Sequence, residues 1–308
     1  GIRDQPRSRG LGDVYKRQGY AYVTETGVYY DIMKFEDYGK LSGQKPEELV
    51  KHRIEPDPTK RHPGDFALWK KQKPGEPAWD SPWGKGRPGW HIEDTAITER
   101  YLGPQYDIHG GGVDLIFPHH EAEIAQMEAI SGRKPMVRYW MHTGFLMIEG
   151  KKMSKSLGNI IPIREALKRY RPEVLRWFLL SAHYRKPLDF REEAVRQAEK
   201  NVEKVYRALE RLRGLEARPD IRPEDEELRR AFEEARENFF KAMDDDFNTP
   251  LALSWLLQLA SAVETLSLKS SSINDALKRD VLAFFRDVEE ILGVIPEEER
   301  GVGEELVR

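Results

Sequence analysis

The sequence predicts an α/β unit followed by an all-α helical bundle. Two observations carry this reading. Strand-like, apolar residues 106–108 run into Gly110, Gly111 and Gly112, and Pro118 then opens a helix-like stretch. From residue 191 onward, Val195, Ala198, Val202, Val205, Leu209 and Leu212 alternate steps of three and four, a seam for packing on another helix. A chain of 308 residues holds two domains of ordinary size. Its 39% hydrophobic content supplies a core, although 33% of the residues are charged. No cysteine is present, which excludes disulfides and thiolate metal sites within this chain. A net charge of −3 does not advertise a nucleic-acid binder, so any RNA contact must rest on local patches. No apolar run reaches the ~20 residues of a membrane span, and no signal peptide is visible. No membrane partner is expected, and the expected location is cytoplasmic.

In chain order, residues 1–18 are polar, lack periodicity and hold no initiator methionine. Residues 10–18 look like a translated library adapter. The whole stretch is expected to be non-native or disordered and to lie outside the fold. Residues 19–35 read as a hairpin about Glu25-Thr26-Gly27. A turn and a short helix follow at 37–49, then a loop at 56–64 and a strand at 65–70. Residues 74–88, rich in Pro, Gly and Trp, read as ordered loop, with Trp69, Trp79 and Trp83 as packing residues. Residues 95–102 should be helical, 106–108 a buried strand, and 118–131 a helix with Ile124, Met127 and Ile130 facing inward. Residues 137–142 and 144–148 are strand-like, Glu149-Gly150 is a turn, and 151–159 is a mobile basic loop. Two helices follow at 164–170 and 172–181. Four more, with short links, read as an antiparallel bundle. Thr249-Pro250 starts the third of these and Gly293 ends the fourth.

The chemistry concentrates between residues 89 and 156. Three consecutive glycines let a backbone pass close to a flat or phosphorylated ligand. They equally suit a tight turn, with Asp114 capping the next segment. Pro118 fits the first turn of a helix. On that helix His119 and Glu123 are four apart, share a face and can hold one zinc ion. Asp94 suits the N-cap of the helix at 95–102. Lys152 and Lys155 sit in a basic loop that, taken alone, reads as solvated.

Three segments in this order, Gly89-Trp90-His91-Ile92-Glu93, His109-Gly110-Gly111-Gly112 through Pro118-His119-His120-Glu121, and Lys152-Met153-Ser154-Lys155-Ser156, resemble cysteinyl-tRNA synthetase, a class I aminoacyl-tRNA synthetase family. The last segment matches that class's K-M-S-K-S signature, and the resemblance covers residues 19–293. It implies the second half of a Rossmann-type catalytic domain. Residues 19–88 would be the remainder of its insertion, 89–160 the second catalytic half, 161–190 a region contacting the tRNA stem, 191–295 the helical bundle and 296–308 a tail.

The implied activity is ATP-dependent conversion of L-cysteine to cysteinyl-adenylate, followed by transfer to tRNA(Cys). The implied catalytic residues are Lys152, Ser154, Lys155 and Ser156. Gly110, Gly111, Gly112, Asp114 and Lys155 would bind ATP, together with Mg2+. Trp90 and His109 would line the cysteine pocket. His119 and Glu123 match two zinc ligands of the family, and Asp94 stands where the family usually has a cysteine ligand. Zinc selects the substrate thiol in this family. His120 and His142 are left outside the metal site. Basic residues Lys168, Arg169, Arg171, Arg176, Arg185 and Lys186 would meet tRNA. The class's His-Ile-Gly-His-type signature and the first Rossmann half are not in the chain, and no anticodon-binding domain is visible after residue 300. The chain therefore reads as a fragment, inactive alone. Three other readings stand beside this one: the zinc- and ATP-dependent cysteine ligase of mycothiol synthesis, a non-catalytic tRNA-binding remnant, and a metal-dependent hydrolase.

Overall fold

The computed structural model describes residues 5–49, 57–154 and 157–296. These form two compact units that divide between Thr143 and Gly144, inside the stretch expected to be one catalytic half.

The first unit opens with helix α1 (Gln5–Arg17), in a stretch expected to lie outside the fold. Leu11 and Tyr15 bury their side chains in the same core as Tyr30, Trp83 and Ile92, which is what draws this polar segment into a helix. Strands β1 (Ala21–Val23) and β2 (Gly27–Tyr30) make the expected hairpin, with Ala21 opposite Tyr30. β3 (Phe66–Lys71) and β4 (Gly86–Pro88) complete an antiparallel sheet in the order β1-β2-β3-β4. β4 lies in the stretch read as loop; three residues between prolines and glycines give too little pattern to announce a strand. The expected short helix near residue 47 is a single 3-10 turn, Pro46–Glu48. Of the expected loop at 56–64, residue 56 lies outside the described residues.

Helix α2 (Trp90–Tyr101) starts five residues earlier than its sequence suggests. Gly89 sets that start. A Cβ there would sit 1.8 Å from the Ala67 carbonyl oxygen, so only glycine lets the chain leave β4 so close to β3. Strand β5 (Tyr106–Gly112) runs straight through the three glycines and pairs in parallel with β6 (Val137–Thr143). The tight-turn reading is therefore overturned. So is the expectation of a buried strand. Ile108 is 59% exposed, because β5 has β6 as its only strand neighbour among the described residues. A 3-10 turn (Val113–Leu115) and a kinked turn (Ile116–His120) lead into α3 (Glu121–Ser131). Pro118 thus precedes the regular helix. Ile124 and Met127 face the core as expected. Tyr30 donates its hydroxyl hydrogen to the Ala125 carbonyl at 3.0 Å, tying the sheet to α3.

In the second unit, β7 (Leu146–Ile148) and β8 (Lys151–Lys152) form a hairpin through Glu149 and Gly150. Both turn residues take positive φ, 49° and 76°, as a two-residue hairpin turn requires. Next come α4 (Ile163–Leu167) and α5 (Pro172–Leu180). β9 (Leu188–Phe190) pairs in parallel with β7. The bundle is α6 (Glu192–Gly214), α7 (Pro223–Asp244), α8 (Thr249–Lys269) and α9 (Asp275–Leu292). Every residue of the expected seam on α6 is buried, as are Leu228, Phe232, Ala235 and Phe239 on α7. α8 is long and apolar enough to cross a membrane by composition, yet Leu253, Leu256, Leu259 and Val263 are spent on the bundle core. Its N-cap is Asn248, one residue before the expected Thr249. Gly293 ends α9 in the left-handed conformation, and the Arg176 guanidinium donates to the Leu292 carbonyl at 2.8 Å. Of the expected tail, residues 297–308 lie outside the described residues.

Two short strands were not anticipated, β10 (Glu216–Arg218) and β11 (Ser272–Asn274), which pair in parallel. Fully buried Asp225 joins them to the helices. It accepts the backbone N–H of Arg222 at 2.8 Å and of Asn274 at 3.2 Å, and lies 2.7 Å from Arg218 Nη2. Substituting Asp225→Ala should cost roughly 3–5 kcal/mol, because it removes the carboxylate nearest the buried Arg218 Nη2 and leaves two backbone N–H groups without their acceptor. Chemical denaturation should show the loss as a lower midpoint with an unchanged slope. A midpoint within error of the parent would refute this account of the network.

Candidate metal centre

The site is built where the start of α2 faces the kinked entry to α3 and the glycine end of β5. Because α2 begins at Trp90, His91 and Asp94 are three apart on one helical face. Asp94 lies inside the helix, and the N-cap is Gly89. The capping reading of Asp94 is therefore overturned.

Its carboxylate instead lies 2.9 Å from His119 Nε2. The same nitrogen is 3.9 Å from Glu123 Oε1, so the expected face shared by His119 and Glu123 is realised. Ligand atoms of Asp94, His119 and Glu123 all fall within 4.8 Å of one another. Two groups that sequence reasoning placed elsewhere join them. His109, expected to line a substrate pocket, points Nε2 at Glu123 Oε2 from 3.5 Å, and its Nδ1 lies 2.6 Å from the Tyr106 hydroxyl. His120, expected outside the metal site, forms a second possible ligand group with His109 and Glu123. His120 Nδ1 is 2.8 Å from His142 Nε2. Trp90 stacks on His119, ring centroids 3.9 Å apart, while remaining 54% exposed.

His91 was missed. Its Nδ1 lies 2.6 Å from His119 Nδ1. The available signal was the helix start. Had Gly89 been read as the cap, His91 and Asp94 would have fallen on one face together.

Electrostatics single out Glu123. It is fully buried, and neither carboxylate oxygen has a hydrogen-bond partner. Burial, and then the charge of Asp94, push its carboxyl up to about 9. Burial pulls His91 and His120 down to about 3, and neighbouring imidazoles add to the effect, so both rings stay neutral. At neutral pH the buried Glu123 carboxyl therefore keeps its proton, and a cation placed between it, Asp94 and the neutral imidazoles would displace that proton. Asp94, His119 and Glu123 form an N/O donor set of the kind zinc accepts.

The three glycines divide the work. A Cβ on Gly111 would sit 2.8 Å from His120 Cε1, so this glycine makes room for the imidazole. A Cβ on Gly112 would come within 2.7 Å of Asp114 Oδ1, which folds back over the backbone. Gly110 alone is open, with Met141 O at 3.6 Å as nearest atom. In the second unit, Lys152 rests its ammonium 3.7 Å over the Phe145 ring. Asn159 clips the basic loop at its base, accepting from Ser154 N at 2.9 Å and donating to Lys152 O at 3.2 Å. Lys155 and Ser156 lie outside the described residues. Of the basic residues expected to meet RNA, Arg176 is used on the end of α9, Arg185 pairs with Asp246 at 2.5 Å and Lys168 with Glu165 at 2.8 Å.

A family model described as tRNA synthetases class I (C) catalytic domain matches residues 12–200, more than half of the chain. The chain belongs to this class I synthetase family. A DALR domain model matches residues 238–296, the second half of the bundle. The chain is 51% identical over 297 residues to a cysteine–tRNA ligase of Thermococcus onnurineus, covering 94% of this chain and 62% of that protein. A cysteine–tRNA ligase of Desulforamulus reducens is 49% identical, with 93% and 61% covered. The chain thus spans about three-fifths of the length of the curated relatives it matches. Among solved structures, methionyl-tRNA synthetase of Mycobacterium tuberculosis aligns with a TM-score of 0.63 at 15% identity, covering 95% of this chain and 73% of that one. That likeness is one of fold. The expected class I synthetase catalytic domain followed by an all-helical domain is what these matches give.

The glycine assignments separate by mutation. Gly111→Ala should drive the His120 ring out of place and lower the melting temperature by several degrees, corresponding to about 1–3 kcal/mol. Gly110→Ala should leave it unchanged. Equal effects from the two substitutions would show that the glycine run is not divided in this way.

Proposed function

We propose that this chain is part of a cytoplasmic cysteine–tRNA ligase that activates L-cysteine with ATP and passes it to tRNA(Cys). The observation that carries the proposal is the buried, unpartnered Glu123 carboxylate beside His119 and Asp94, in a family whose relatives at 51% identity carry that name.

In this reading Asp94, His119 and Glu123 hold a zinc ion, which supplies a Lewis-acidic centre that takes a thiolate far better than a hydroxyl. Shape alone separates side chains this small by only ~1–3 kcal/mol, so direct ligation accounts for rejection of serine. Trp90 covers His119 and keeps water from the imidazole face. His109 and Trp90 close around the small substrate side chain. Open Gly110 lets the adenosine lie on the end of β5, and the Asp114 carboxylate accepts from ribose hydroxyls.

The cysteine carboxylate attacks the α-phosphate and pyrophosphate leaves. Lys152 and Lys155, with Mg2+, neutralise the charge that builds on the triphosphate. The Ser154 and Ser156 hydroxyls hydrogen-bond the same oxygens. Lys152 leaves an aromatic face to do this, and a cation–π contact at an exposed site is worth only ~0.5–1 kcal/mol. Arg169, Arg171 and Lys186 offer the cations for the tRNA stem. Relatives named cysteine–tRNA ligase at 49–51% identity support an RNA acceptor over an amino sugar.

Cysteine-dependent ATP–pyrophosphate exchange tests the proposal, measured with the further two-fifths of a relative's length supplied. Exchange should appear with cysteine and not serine, and fall at least 100-fold on Lys155→Ala or on removing zinc. The cysteinyl group should then pass to tRNA(Cys). Exchange indifferent to chelation, or equal for serine and cysteine, would reject the zinc-selected mechanism.

A further inference from the structure

His119 has two ring nitrogens with different neighbours. Nε2 faces Asp94 and Glu123, at 2.9 Å and 3.9 Å. Nδ1 faces the Nδ1 of His91 at 2.6 Å. Two nitrogens at that distance share one hydrogen: one donates and the other offers a lone pair, since two lone pairs or two protons would repel. The Nε2 lone pair of His119 reaches a cation only when its single proton sits on Nδ1. Nδ1 must then donate, and His91 must accept with its own Nδ1.

The His91 ring is fixed for this role. It stands at 90° to the Phe66 ring, centroids 5.4 Å apart. Trp90, one residue earlier, lies on the His119 ring with planes 15° apart and fixes its tilt. Thus the first two residues of α2 hold one imidazole, Trp90 by its plane and His91 by its tautomer.

We infer that His91 is a positioning residue for metal binding: it holds the proton of His119 on Nδ1 and so presents Nε2 to the cation, while giving no atom to the metal itself. The inference rests on the reading of Asp94, His119 and Glu123 as a zinc site. A hydrogen-bonding partner on the far nitrogen of a ligating histidine orients the ring and strengthens the ligand, and losing such a partner weakens metal binding by about 10–100-fold.

The test uses the chain as it exists, with zinc alone as probe and a chelating indicator as competitor. His91→Ala should weaken zinc binding by about 10–100-fold. His91→Asn places an amide oxygen where the ring Nδ1 stands and can still accept the hydrogen. It should bind zinc within about threefold of the parent. Nitrogen-15 spectra of histidine in the zinc-loaded parent give a second readout that does not depend on any variant folding. They should show His119 protonated on Nδ1, with a proton slow to exchange. Zinc binding of equal strength in the parent and His91→Ala would overturn the inference and leave the zinc site standing. A loss in His91→Ala that His91→Asn does not restore would assign the effect to packing and overturn it too, as would a His119 proton found on Nε2. A parent chain that binds no zinc would remove the zinc site itself, and the inference with it.

Discussion

Glu123 keeps a carboxyl group in the interior with neither oxygen hydrogen-bonded, and burial together with the charge of Asp94 makes ionising it costly. An ionised carboxylate in such surroundings is worth several kcal/mol of destabilisation unless a counter-charge arrives. None comes from the described side chains nearby. His109 and His119 approach it as rings, His120 and His91 are held neutral by burial, and Asp94 adds a second negative charge. Carbon-rich packing would be cheaper at every one of these positions. A cation at this centre would let the carboxyl ionise, which is the basis of the proposed zinc site.

The rest of the first unit serves that centre. The sheet ends at Gly89, whose missing side chain lets α2 start against β3 and fixes where Trp90, His91 and Asp94 point. The kinked turn before α3 carries His119 and His120, each with a ring nitrogen within 4.8 Å of a Glu123 carboxylate oxygen. Gly111 leaves room for one of those rings. The second unit is organised differently, around the apolar seams of α6 to α9 and the buried Asp225 that stitches strand ends to helix starts. Its hairpin carries Lys152 and, by the Asn159 clip, a fixed base for the basic loop.

The sequence and the structure agree where a pattern repeats. The α6 seam returns six times at helical spacing, and all six side chains are buried. The hairpin at residues 21–30 had turn residues between alternating aromatics, and its register follows. The pair His119 and Glu123 was legible because four residues make one helical turn. Disagreement arises where one contact decides. Nothing local marks Trp90 as a helix start, since the reason is the Ala67 carbonyl beside Gly89. His91 was lost with that boundary. β10 and β11 meet across more than fifty residues, and the Asp225 bond to Asn274 N spans 49, so no local pattern announces either. Residues 5–17 have weak periodicity, and among the described side chains Leu11 and Tyr15 are the apolar ones buried in the core. The glycine run was read as one feature, but Gly111 answers to His120, Gly112 to Asp114, and Gly110 stays open.

The central claim is that Asp94, His119 and Glu123 hold zinc with a coordination position left for a thiolate. X-ray absorption at the zinc edge of the zinc-loaded chain addresses it directly. The account predicts one zinc per chain with only nitrogen and oxygen neighbours at about 2.0–2.2 Å, because the chain itself has no cysteine. Adding L-cysteine should bring in a single sulfur at about 2.3 Å, and adding L-serine should change nothing. Zinc that fails to bind one per chain, or a spectrum that cysteine leaves unaltered, would contradict the account.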